Sequence, residues 1–192
     1  MFHKRDIREK IQEIIDKTHP NEGDTIDLNH LVVSMVKDMS YLFYDVEEGI
    51  NFTRYNFNIS KWDVSNVEDM SGMFDGCKKF NCDLSNWDVS RVTNMNGMFF
   101  MCKCFKCDLS KWNVSNVKNM AYMFYHCEKF TSDLSRWDVS RVGDMHGMFV
   151  GCKKFNCDLS KWNVSNVTNM AYMFDECSSL EEHKNIPDWY KI

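Results

Sequence analysis

Nowhere in the 192 residues is there an apolar run approaching the ~18–20 residues that a bilayer-spanning helix needs, so no membrane span is expected. The opening residues, MFHKRDIREK, lack the apolar core of a secretory signal. If the chain is full length, it is therefore expected to stay in the compartment where it is made, the cytoplasm. Basic charge is also short: 23 Lys and Arg stand against 28 Asp and Glu, a net charge of −5. That balance argues against a duplex-DNA surface, and no nucleic-acid partner is expected. Catalytic groupings are missing as well. The six histidines are scattered, and no serine or cysteine stands apart from its neighbours. No catalytic residue, cofactor or enzymatic activity is expected.

What the chain has instead is a beat. Trp62, Trp87, Trp112, Trp137 and Trp162 recur every 25 residues. A unit of that length cannot bury its own apolar face and must do so against its neighbours, which is the sequence signature of a solenoid. Leu84, Trp87 and Val89 fit the L-x-x-L-x-L pattern of a leucine-rich-repeat strand, with Trp87 and Val89 inward and Asp88 outward. Val92, Met95, Met98, Phe99 and Cys102 fall within an arc of about 120° at helical spacing, which predicts a helix with Ser90 as its N-cap. The fold expected is an α/β solenoid, with about seven short parallel strands on one face and helices on the other.

Leucine, valine, methionine and phenylalanine rows run through all units, and 11 of the 14 methionines lie on them. The methionine content is thus read as core filling between stacked units. Gly72, Gly97 and Gly147 take the place held by Tyr122 and Tyr172 in other units, so each tyrosine ring is expected to lean into the space beside a neighbouring glycine. Residues 1–26 are expected to form a capping helix and linker, with Ile7, Ile11, Ile14 and Ile15 on one face over 3–17. The solenoid is expected over 27–181, with a degenerate first unit at 27–60, an insertion near 44–54 and regular units from 61. Ile186 and Trp189 mimic the Leu–Trp pair, so 182–192 reads as a C-terminal half-repeat cap.

Nine cysteines invite a disulfide framework, but their odd count and regular placement favour reduced core thiols. Cys77, Cys102, Cys127, Cys152 and Cys177 form one row, and Cys82, Cys107 and Cys157 a second. Helices packed ~8–10 Å apart would hold them beyond disulfide reach. The run Cys102-x-Cys104-x-x-Cys107 is expected to hold no metal, because two of its members belong to the rows.

The segments DLNHLVVSMVKDMSYLF (27–43) and KWNVSNVTNMAYMF (161–174) resemble the BspA-type leucine-rich-repeat surface proteins, whose 25-residue unit carries a W-D-V-S-N-V-T-x-M-x-x-M-F core. The resemblance extends over nearly the whole chain. It implies a right-handed solenoid with a curved sheet, and display on a cell surface or virion with roles in adhesion or host contact. It brings no catalytic residues.

The function expected is a non-enzymatic protein-interaction scaffold. The alternative is a metal-binding or redox-responsive cysteine-rich protein. Phe100, Tyr125 and Val150, with Tyr122 and Tyr172 beside them, form an apolar strip on the expected helix face, bounded by Asp75 and Asp175. This strip is the first candidate for a protein partner of unknown identity, or for self-association. The second candidate is the outward row Asp63, Asp88, Lys111, Asn113 and Asp138 on the expected sheet face.

Overall fold

The computed structural model describes residues 3–44 and 52–190. Its first element, α1 (Lys4–Thr18), is the amphipathic helix that the isoleucine spacing predicts. Asp6 accepts the His3 N–H at 2.7 Å and puts a negative charge in the first turn, where the helix dipole favours it. His19 ends the helix in the left-handed region (φ 44), and Pro20 cannot continue it. Ile7 and Ile11 are fully buried, while Ile14 and Ile15 pack half-buried on the same core.

The units that follow contain neither the expected helix nor the expected strand. Among the described residues, the only paired strands are β1 (Thr25–Asp27) and β2 (Asn56–Asn58), parallel, with Ile26 opposite Phe57. Further along, coils meet at single parallel bridges, Asp38–Asp69, Asp69–Asn94, Asn94–Asn119, Asn119–Asp144 and Asp144–Asn169. These bridges fall on the residue before the first methionine of each unit. The Trp-x-Val segment expected to be the strand makes none.

A unit is a chain of tight turns. Main-chain N–H groups of Trp87, Val92, Met98, Cys102 and Phe105 donate to the carbonyls of Leu84, Val89, Met95, Phe99 and Cys102, at 2.9–3.2 Å. Each bond joins residues i and i+3, so every turn carries an apolar residue at both ends. That spacing is common to an amphipathic helix and to linked β-turns, which is why the pattern reads as helical. Two features decide for turns. Asp83, Asp88 and Asn94 each accept the N–H two residues on, at 3.0–3.1 Å, taking donors that a helix would use. Ser90, expected as a helix cap, instead closes the Asp88 turn. Gly97 and Met101 also have φ of 58°, and Tyr122 and His126 have 57° and 52° at the equivalent places. A helix cannot pass through two left-handed residues per unit.

The stack is held by three kinds of contact. Met95, Gly97, Phe99 and Met101 donate main-chain bonds at 2.7–2.9 Å to the carbonyls of Asn119, Ala121, Met123 and Tyr125 in the next coil. Every second residue thus bonds between coils, and the intervening ones bond within their own. Each Trp Nε1 reaches back to the preceding coil, as Trp112 does to the Leu84 carbonyl at 2.9 Å. Inside, Phe43, Phe74, Phe99, Phe124, Phe149 and Phe174 stack at centroid spacings of 5.3–5.8 Å. Phe80, Phe105, Phe130 and Phe155 form a second column at 5.9–6.0 Å. The core is therefore a double phenylalanine ladder lined with fully buried methionine.

These inter-coil bonds have a direction, and the two ends of the stack differ for that reason. Donors point toward the C-terminus, so the first coil is left with unmatched carbonyls. α1 answers them with cations: Lys4 Nζ donates to the Ser40 carbonyl at 2.8 Å, and one Arg8 nitrogen donates to Leu42 at 2.7 Å and Tyr44 at 2.9 Å. The expected insertion near 44–54 lies mostly outside the described residues; Phe52–Arg54 forms a 3-10 turn with Phe52 fully buried. At the far end come α2 (Ser178–Glu182) and a 3-10 turn at Asp188–Tyr190. Trp189 Nε1 donates to the Leu159 carbonyl at 3.0 Å, so it does take the place of a repeat tryptophan.

Candidate interaction face

Tyr122 and Tyr172 sit at left-handed positions, Phe100 and Tyr125 close the turns that start at Gly97 and Tyr122, and there the rings meet. Phe100 and Tyr125 stack with centroids 4.5 Å apart and planes 3° from parallel. Tyr122 meets Phe100 edge-on at 6.3 Å and Tyr125 at 5.9 Å. His146 then carries the strip onward, lying 4.9 Å from Tyr122 and 5.6 Å from Tyr172. Four of the five strip residues are thus brought into one row of rings. Val150 is half-buried beside Gly147 and completes the strip's edge. Spacing is set by stacked turns, so neighbouring rings are about half as far apart as packed helices would place them.

Tyr122 is held by the glycine of the next coil. A methyl group on Gly147 would come within 2.9 Å of the Tyr122 ring, and one on Gly72 would collide with the ring of Tyr41. The expected tyrosine–glycine contact is thus made at these two places, whereas Gly97 meets no tyrosine ring and Tyr172 none of the glycines. The same device recurs one turn later, where the His126 ring fills the space over Gly151. Phe100, Tyr122 and Tyr125 end half-buried, and Tyr172 is 61% exposed at the end of the row.

Electrostatics divide the strip's borders. Asp75, in the Phe100 position of an earlier coil, is half-buried, and burial pushes its carboxyl up to about 6. Asp175 and Glu176 at the other end are exposed. Sequence reasoning did not single out His146, because it lies on no recurring row. The visible signal was the departure itself, a ring where other units carry a small residue.

The second candidate row is not on a sheet. Asp63, Asp88, Asn113 and Asp138 are exposed and accept the N–H of the serine two residues on, at 3.0–3.2 Å. Hydrogen bonds from Ser90 and Ser140 hold the Asp88 and Asp138 carboxyls below the ordinary carboxylate pKa. These side chains are thus committed to holding corners. Lys111 lies in a groove with Lys106, Asp83 and Asp108, which continues along the stack to Asp133 and Arg136. The groove-lining aspartates begin the D-L-S turns, a row that sequence reasoning passed over although it repeats every 25 residues.

All nine cysteines are free. The expected reason, helices held far apart, does not apply, since coils stack at the spacing of the rings. Each thiol of the first row is instead engaged: Cys102, Cys127, Cys152 and Cys177 donate to the carbonyls of Phe74, Phe99, Phe124 and Phe149 at 2.9–3.1 Å. Burial raises the Cys102, Cys127 and Cys152 thiols far above the ordinary value and Cys177 to about 12. In the second row the sulfur accepts: Cys107 Sγ takes the Leu84 N–H at 3.1 Å and Cys157 Sγ the Leu134 N–H at 3.2 Å. Ser132 does the same for Leu109 at 2.9 Å. A serine serving in the row marks its role as hydrogen bonding. Among the described residues, no cluster of three or more His, Cys, Asp or Glu could hold a metal ion.

Two overlapping stretches, residues 10–136 and 104–191, match one protein family, described as Mycoplasma protein of unknown function, DUF285. The chain belongs to that family. Together the matches run from within α1 through the C-terminal turn, and their overlap at 104–136 is what a repeating pattern allows in more than one register. No curated protein and no solved structure matches the chain.

Proposed function

We propose that the chain is a non-enzymatic scaffold that binds a protein partner through the ring strip Phe100–Tyr125–Tyr122–His146–Tyr172. The observation that carries this reading is the continuity of the strip across four coils, outside the core and, among the described residues, without a covering element. Aromatic side chains bury much area at low entropic cost, and interface hot spots concentrate on them. We further propose that the coil is right-handed and leucine-rich-repeat-like, as the resemblance to the BspA-type repeats implies. Display at a cell surface or virion, with a part in adhesion or host contact, is the biological setting that resemblance favours.

The test is the double substitution Phe100→Ser and Tyr125→Ser. The two rings stack on each other, so stability should fall only by about 0.5–1.5 kcal/mol. Proteins captured from the native host by the wild-type chain should include one at stoichiometric amount that the variant loses. Unchanged capture by a folded variant would move the contact to the groove of Asp83, Asp108 and Lys111.

A further inference from the structure

The coil at 161–177 repeats the donor row of the coils before it, and among the described residues no further coil receives it. Met145 and Gly147 donate to the carbonyls of Asn169 and Ala171 at 2.8 and 2.9 Å, and Thr168 donates to the Gly143 carbonyl at 2.8 Å. One coil on, the equivalent N–H groups of Met170 and Tyr172 and the carbonyl of Thr168 make no hydrogen bond. The C-terminal cap reaches only part of this edge. Tyr190 meets the Phe174 ring edge-on at 4.9 Å, and Trp189 stacks on Trp162 at 6.5 Å. Val164, Val167 and Met170 are only partly buried, whereas their counterparts in the coil before, Val139, Val142 and Met145, are 1% exposed or less.

We infer that this edge, Thr168 to Tyr172 with Val164 and Val167, binds an extended segment of a partner protein that pairs parallel to it as a further rung. The ladder specifies the occupant's chemistry. One residue donates its N–H to Thr168, the next gives its carbonyl to Met170, and the residue two further gives its carbonyl to Tyr172. Between the two acceptors lies a side chain that extends the methionine row, so it must be apolar. Residues 168–171, Thr-Asn-Met-Ala, make this same set of bonds to the coil before them. Unpaired edges recruit strands in this way, with main-chain bonds supplying affinity and alternate side chains supplying selectivity. A second copy does not fit: its first coil has its carbonyls taken by Lys4 and Arg8, and two C-terminal edges would oppose donor to donor.

Amide hydrogen exchange on the full chain tests this, using an acetylated peptide of residues 161–174 as the probe. Without peptide, the Met170 and Tyr172 amides should exchange much faster than those of Met145 and Gly147. Excess peptide should slow them at least about tenfold. A peptide carrying Met170→Asp should give no such protection. The inference is overturned if the two amides are already protected in the monomer, if the peptide leaves them fast, or if both peptides protect equally. Protection that arises in the protein alone with dimer formation by sedimentation would also overturn it.

Discussion

At the scale of single residues, tryptophan contributes both apolar area and a bond. Trp112 is 4% exposed and its Nε1 satisfies the Leu84 carbonyl. Replacing it by Ala should cost about 3–5 kcal/mol for the cavity, and it also removes one of the two bonds to the Leu84 carbonyl, which keeps the Trp87 N–H. Urea denaturation would measure the loss, and a cost under about 1 kcal/mol would mean that the coil closes around the gap. Asp75 makes a prediction of a different kind. Its carboxyl is raised from 3.8 to about 6 by burial, so the protonated form favours the fold. That contribution is complete below about pH 4 and is lost as pH rises through about 6. Because the group is half exposed, the effect should be on the order of 1 kcal/mol. Asp75→Asn should therefore match wild type at pH 4 and exceed it in thermal stability at pH 7.5. Identical pH profiles would show that the carboxyl ionises freely in the fold.

At the scale of elements, α1 is a cap whose chemistry is set by the polarity of the ladder. Coil carbonyls at the N-terminal end need donors, and Lys4 and Arg8 deliver them from one helical face, four residues apart. Arg8 also lies 4.9 Å over the Phe52 ring. Arg8→Ala should cost about 1–3 kcal/mol, the range for hydrogen bonds from a charged donor. Arg5 lies one turn away from that role and pairs only with Glu9 at the surface. Arg5→Ala should thus change stability by less than about 0.5 kcal/mol. Equal effects in chemical denaturation would mean that α1 caps through its isoleucines alone. The turn units show why secondary structure was misread and burial was not. Apolar residues at i and i+3 face inward in a helix and in linked turns alike, so the methionine, phenylalanine and cysteine rows were legible. Asx side chains and left-handed residues decided the backbone, and those act through local geometry that periodicity does not report.

At the scale of the molecule, stability in such a stack is close to a sum over coils and their interfaces. Deleting residues 86–110 removes one whole unit and joins Ser85 to Lys111 in register. Leu84 would then donate to Ser132, and Trp112 would reach the Ile59 carbonyl in place of Trp87. Both tyrosine–glycine contacts, Tyr41 on Gly72 and Tyr122 on Gly147, are retained. The shortened chain should fold with a single unfolding transition and a reduced denaturant dependence, since less surface is exposed on unfolding. Deleting 12 residues instead would put corners against ladder positions, and circular dichroism with thermal melting should show no cooperative fold.

From the sequence by itself came the 25-residue period, the inward rows, the capping helix and the outward rings at 100, 122, 125 and 172. These follow from which side chains are apolar and how often they recur, and water alone is enough to sort them. Tertiary structure decided what periodicity leaves open. It replaced helix and strand by turns, because alternate N–H groups find partners in the next coil and leave too few for a helix. It joined Tyr122 to Tyr172 through His146, a residue with no row of its own. It also made the two ends of the stack unlike, for the ladder bonds from each methionine–phenylalanine segment to the next coil run one way, and an end has a polarity only once coils are stacked.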